Sequence, residues 1–161
     1  MSAPTDGIHI LLPQGYERAN APAVLPWVAV RRKLEDAESY WLATVRRDGR
    51  PHVTPLWGAW VNDDFYFTGI PTAQWARNIV PHPEAAVHLE SGADVVIVEG
   101  IVVDLPTIAD PGIADAIVAQ WTAKYGRLVP DPVNDGMYCL RPSAARAWSR
   151  FPDDATRWSF P

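Results

Sequence analysis

The chain has 161 residues, enough for one domain with a hydrophobic core, and 48% hydrophobic against 20% charged residues is a globular balance. A net charge of −5 argues against a general nucleic-acid or anionic-membrane surface, while leaving room for a local basic pocket. A single cysteine, Cys139, excludes an intrachain disulfide, and no apolar run approaches the ~20 residues that span a bilayer, so the reading is a soluble, cytoplasmic protein.

In chain order, residues 1–25 read as an extended arm punctuated by Pro4, Pro13 and Pro22, and residues 26–161 as one domain. "PWVAVRRKLEDAE" predicts a short helix with Pro26 in its first turn and Trp27, Val30 and Leu34 on one face. Three strands follow: Tyr40 to Arg46, His52 to Val61 and Phe65 to Thr68. Turns at Asp48-Gly49 and Asn62-Asp63-Asp64 join them as antiparallel neighbours. Pro51 and Pro55 donate no ladder hydrogen bond, so the second strand must lie at an edge or carry bulges.

"PTAQWARNIVP" predicts a helix with Thr72 as N-cap and Pro81 as its stop. "EAAVHLES" and "DVVIVEGIVVDL" are strands, the second interrupted by Gly100, where a bulge or bend is expected. "DPGIADAIVAQWTAKYG" is a helix capped by Asp110, opened by Pro111 and ended by Gly126, with Ile113, Ile117, Trp121 and Tyr125 in one stripe. "GMYCLRP" and "ARAWSR" read as closing strands, and the aromatic tail "FPDDATRWSFP" should dock on something, a partner subunit being one choice. Antiparallel strands with glycine bends suggest a small barrel.

The chain has no dinucleotide or P-loop glycine motif, no HExxH or CxxC, and no serine nucleophile elbow. His88 and Glu90 share a strand face but lack a third metal ligand, and no metal is expected. What remains is an order of elements: "RRDGRPHVTPLW", then "DFYFTG", then a helix opening at "PTAQWARNI". Free N–H groups at that helix start suit a phosphate, and a strand rich in proline and tryptophan suits a flat ring.

"WLATVRRDGRPHVTPLWGAWVNDDFYFTG", followed by "ARNIVPHPEAAVHLE" and "VEGIVVDL", resembles the pyridoxamine 5′-phosphate oxidase-like split-β-barrel superfamily, over about residues 40 to 105. The subgroup it is most similar to is that of the flavin/deazaflavin oxidoreductases, which use FMN or coenzyme F420. The resemblance implies a mainly β fold: a six-stranded antiparallel Greek-key split barrel with about three to five peripheral helices. It also implies a homodimer with the cofactor at the subunit interface and a small-molecule substrate, with neither nucleic acid nor membrane as partner. His52, Val53, Thr54, Pro55, Leu56 and Trp57 would run along the ring. Thr68, Gly69, Thr72, Gln74, Trp75, Arg77 and Asn78 would hold the phosphate end, with Arg157 from the "ATRWSF" tail as a further ligand.

One departure stands out. Relatives carry a basic residue two before the "ARN" arginine, where this chain has Trp75, preceded by Ala73 and Gln74. Each charge-assisted hydrogen bond lost there is worth roughly 1.5–3 kcal/mol, and Arg77, Arg50 or Arg157 would have to compensate. No side-chain nucleophile is needed for hydride transfer on a bound cofactor; His52, Tyr66 and Tyr125 are the candidate proton donors. Two other readings use the same fold: a non-catalytic binder of haem, a bilin or a flavin, and a cofactor-free structural dimer.

Overall fold

The computed structural model describes residues 3–17 and 23–161; the remainder of the expected arm lies outside the described residues. Nine strands and three helices follow in order: β1 (Ile8–His9), α1 (Trp27–Asp36), β2 (Tyr40–Val45), β3 (Pro51–Leu56), β4 (Gly58–Val61), β5 (Asp64–Phe67), α2 (Gln74–Ile79), β6 (Glu84–His88), β7 (Val95–Leu105), α3 (Pro111–Tyr125), β8 (Met137–Trp148) and β9 (Thr156–Ser159). All pairings are antiparallel, in the ladder order β1-β9-β8-β7-β6-β2-β3, with β5 bridging β4 to β8. The mainly β architecture is that expected of a split barrel, but among the described residues the strands number nine rather than six. The hydrogen-bonded ladder does not close: β3 and β4 meet only through the chain, at Trp57.

That break corrects the expected single strand His52 to Val61. Its first half pairs with β2 and its second with β5, so the chain turns from one part of the sheet to the other at one residue. Pro51 and Pro55 are tolerated because β3 is an edge, with no partner on its far side among the described residues. The two expected closing strands are instead one, β8, twelve residues long. Its pairing with β7 slips between Glu99 and Gly100. The slip shifts the side-chain parity of β8, so that Ala145 and Ala147 but then Leu140 face the main core. A Cβ on Gly100 would lie 2.1 Å from the Arg141 carbonyl oxygen, so this close approach requires glycine.

Two cores result. The larger joins α1 (Val30, Leu34) to Tyr40, Leu42, Trp60, Phe65, Phe67, Val87, Val98, Leu140 and Trp158. A fully buried Leu, Val or Phe here contributes about 1.5–3 kcal/mol. The smaller packs Ile117 and Trp121 of α3 against Ala59, Val61, Tyr66 and Cys139. β4 and β5 run between the two and are buried along their whole length. The α3 caps are as expected: Asp110 accepts from the Gly112 and Ile113 amides, and Gly126 ends the helix at φ 61°. The aromatic tail docks on its own chain: β9 pairs with β8, β1 pairs with β9, and Trp158 is buried beside Trp27. Among the described residues, no helix is long and apolar enough to cross a membrane.

The outer face of the sheet is largely uncovered. Ala43 and Val45 of β2, Pro51 and Val53 of β3, Ala86 of β6 and Ile101 of β7 are half-buried or exposed there. Part of it forms a shallow depression of about 450 Å³, crossed by the Glu99–Arg146 ion pair at its margin.

Candidate functional site

The β2–β3 turn and α2 come together at one end of β3. Asp48-Gly49 makes the turn, with Gly49 at φ 83° and the Gly49 amide donating to the Arg46 carbonyl. Around this junction lie two adjoining recesses of about 430–440 Å³. Arg47 and Gln74 line both; Arg77, Asn78, Val80 and Pro81 complete one, Arg46, Asp48 and Arg50 the other. Four arginines thus converge on Gln74 in a chain of net charge −5. Arg50 is paired with Asp48 at 2.8 Å, and this hydrogen-bonded partner holds the Asp48 carboxyl below its ordinary range. Arg46, Arg47 and Arg77 have no carboxylate partner among the described residues. Unpaired guanidinium groups around a recess are a ready anion site.

A chain of hydrogen bonds leads inward from this recess. Arg77 Nη2 donates to Gln74 Oε1 at 3.0 Å, and Gln74 Nε2 to Asn78 Oδ1 at 2.7 Å. Asn78, only 1% exposed, donates through Nδ2 to Thr44 Oγ1 at 2.9 Å. Thr44 Oγ1 then lies 3.4 Å from His52 Nδ1. Burial, with help from the nearby Arg46 charge, pushes the His52 imidazole below its ordinary value, which favours the neutral ring.

Of the expected site residues, Gln74, Arg77 and Asn78 line the recess and His52 is wired to it. Along β3, Val53 and Pro55 share the outer face with Pro51, whereas His52, Thr54 and Leu56 point to the α2 side. At the far end, Trp57 stacks on Tyr125 (4.4 Å between centroids, 6° between planes), with the Arg127 guanidinium 5.3 Å from the indole. Thr68, Gly69 and Thr72 lie on the exposed connection before α2.

Thr72 does not cap that helix. Ala73 occupies the cap without a side-chain hydrogen bond, and a six-residue helix offers little dipole, so the arginines, not the helix start, supply the positive charge. Trp75, in the position of the missing basic residue, is turned into the main core against Phe67 and Tyr138 and is 8% exposed. Gly69 makes room for it: a Cβ there would meet the Trp75 ring at 2.6 Å. Arg157 stands on β9, at the opposite side of the ladder from β3, so this chain does not bring it to its own recess. Of the other proton-donor candidates, Tyr66 is buried in the smaller core, and the Tyr125 hydroxyl is engaged with the Gly58 backbone at 3.1–3.2 Å.

Sequence reasoning missed Arg46, Arg47 and Thr44. The "RRDGR" cluster around a hairpin turn was a signal for the first two. A threonine at an inward position, in register with Tyr40 and Leu42, was a signal for the third.

An edge strand leads away from an arginine-lined recess, on an antiparallel architecture consistent with a split barrel. The family described as pyridoxamine 5′-phosphate oxidase matches residues 27–149, and the chain belongs to that family. Among solved structures, an F420 reductase is 27% identical, with 83% of this chain and 98% of that one covered at a TM-score of 0.55. A pyridoxamine 5′-phosphate oxidase-related, FMN-binding protein from Nostoc punctiforme is 14% identical (86% and 98% covered, TM-score 0.53). HutZ, the haem storage protein from Vibrio cholerae, shares the fold at 15% identity (71% and 87% covered, TM-score 0.54). No curated protein matches the sequence.

Proposed function

We propose that the protein is an FMN- or F420-dependent oxidoreductase that works as a homodimer. The observation that carries this reading is the recess where Arg46, Arg47 and Arg77 converge on Gln74 without carboxylate partners, at the head of an edge strand. The donor set fits a phosphate: guanidinium groups and an amide, with Arg77 held by Gln74 and the α2 side held by Asn78. It replaces, from the β2–β3 turn, the charge that Trp75 removes from α2.

Beyond the recess, β3 leaves backbone carbonyls and the Val53 N–H unpaired along its outer edge, the two prolines having no N–H, and these suit the heteroatoms of a planar ring. Its six residues span about 20 Å at roughly 3.3 Å each, a length on the scale of a flavin nucleotide, and Trp57 stands at the far end. When bound, FMN or F420 supplies hydride transfer to and from an organic substrate. The protein's residues anchor the phosphate, orient the ring and exclude water. The apolar outer sheet face gives a second copy of the chain its seat, and Arg157 would reach a recess only from that copy.

The test is a titration of the purified protein with FMN, F420 and haem side by side, with sedimentation to give the oligomeric state. FMN or F420 binding to a dimer, followed by turnover with an electron donor, is the expected result. Binding of haem alone, or of none of the three, would sink the reading.

A further inference from the structure

The hydrogen-bond chain that begins at Arg77 has a fixed direction as far as Thr44. A guanidinium has donors and no acceptor, so Gln74 must receive it through Oε1. That leaves the Gln74 amide nitrogen to face Asn78 Oδ1, and the Asn78 amide nitrogen to face Thr44 Oγ1. With Asn78 donating to it, the Thr44 hydroxyl passes its own proton onward. Two acceptors are in reach: His52 Nδ1 at 3.4 Å and, slightly farther, the His52 carbonyl oxygen at 3.5 Å. A proton directed at Nδ1 leaves the imidazole hydrogen on Nε2. Nε2 makes no hydrogen bond with a described residue; the ring is half-buried and lines neither recess itself, being joined to them through Thr44 and Asn78.

We propose that Thr44 and Asn78 are positioning residues: relaying the fixed polarity of Arg77, they hold His52 as the Nε2–H tautomer, a neutral hydrogen-bond donor to an oxygen of the phosphate-bearing ligand. The assignment rests on the proposed function for the ligand, but the tautomer itself does not depend on it. It explains why a threonine is buried at an otherwise apolar inward position and why an asparagine is buried in a six-residue helix.

The charged group that acts on the ring is Arg46; Arg47, Arg50 and Asp48 of the β2–β3 turn and Arg77 of α2 line the recesses beyond it, and β3 itself carries no other ionisable side chain. All but Asp48 are cationic, and Asp48 is taken by Arg50. Arg46 opposes a second proton on His52 until an anion neutralises it. Occupation of the recess therefore raises the proton affinity of the imidazole, and the carbonyl at 3.5 Å gives the Thr44 hydroxyl another acceptor once Nδ1 is protonated.

The experiment is nitrogen-15 NMR of the histidine side chains, with His52 assigned by His52→Gln. It compares wild type, Thr44→Val and Thr44→Ser, each free and with inorganic phosphate or FMN, alongside calorimetry of the same additions. In the free wild type His52 should be the Nε2–H tautomer. Thr44→Val should shift it toward the Nδ1–H form and weaken FMN binding about fivefold, and Thr44→Ser should restore both. FMN should move the Nε2 resonance and raise the His52 pKa. An Nδ1–H ring in wild type, a tautomer indifferent to Thr44→Val, or FMN bound without effect on Nε2 would each overturn the assignment alone. Absence of calorimetric binding by phosphate, FMN and, titrated in the same way, F420 would overturn the proposed function, and the donor role with it, even with the tautomer as expected.

Discussion

Asp64→Asn should make the protein more stable at pH 8 and should flatten its stability between pH 4 and 7. Asp64 opens β5 and is 5% exposed, and its Oδ1 atom has no hydrogen-bond partner. Burial pushes its carboxyl from 3.8 to about 6; the Arg141 charge and the Tyr66 hydroxyl offset only part of that. A pKa raised in the folded state means that the native protein holds the proton more tightly than the unfolded chain does. The contribution to stability is therefore fully present below pH 3.8 and is lost as pH rises through about 6.

The rise from 3.8 to about 6 corresponds to about 3 kcal/mol at 1.36 kcal/mol per pKa unit. Solvent reaches part of the carboxyl's surroundings, so about 1–2 kcal/mol is the expected effect. Asparagine keeps the shape and removes the charge, so the variant should gain that amount at pH 8 and little or nothing at pH 4. Urea unfolding of both proteins at pH 4, 6 and 8, with unchanged m-values, measures it directly. Equal stability at pH 8 with parallel pH profiles would show that Asp64 carries no burial cost.

The other expectations follow from single contacts. Arg77→Ala should weaken FMN or F420 binding at least tenfold by calorimetry while leaving the sedimentation behaviour unchanged, because Arg77 is exposed and supports no core residue. Gly100→Ala should be among the most damaging small substitutions, because its methyl group meets the Arg141 carbonyl at 2.1 Å; loss of soluble protein or a fall of several kcal/mol in unfolding free energy is the readout. Trp75→Ala should cost about 3–5 kcal/mol of stability through the cavity it leaves, and thermal denaturation without ligand should register the loss. A Trp75 variant of unchanged stability would return the indole to the list of cofactor contacts.

The elements were legible where one residue type answers one geometric demand. Asp110, Pro111 and Gly126 bracket α3 because a side-chain acceptor, a missing N–H and a left-handed φ are local requirements. Gly100 was visible for the same reason. β8 was read as two strands because a parity shift at a bulge looks, in sequence, like the end of one pattern and the start of another. The break at Trp57 was invisible because the run from Leu56 to Val61 is non-polar throughout, with no polar turn residue to mark it. Pro51 and Pro55 indicated the edge position of β3 but not the turn that follows it. At the site, the "ARN" segment supplied Arg77 and Asn78. The arginines flanking Asp48-Gly49 were passed over because a charged hairpin turn is ordinarily a solvated one, and only the approach of α2 makes a recess of it.

The two halves of the segment from Pro51 to Val61 live under different constraints. β4 is clamped between two cores, whereas β3 has a neighbour on one side only, and Trp57 alone separates them. Amide protons of residues 58–61 should therefore exchange with solvent at the rate of whole-molecule unfolding, and those of residues 52–54 orders of magnitude faster. A guest can be admitted or released by local breathing of one ribbon while the scaffold beneath stays shut.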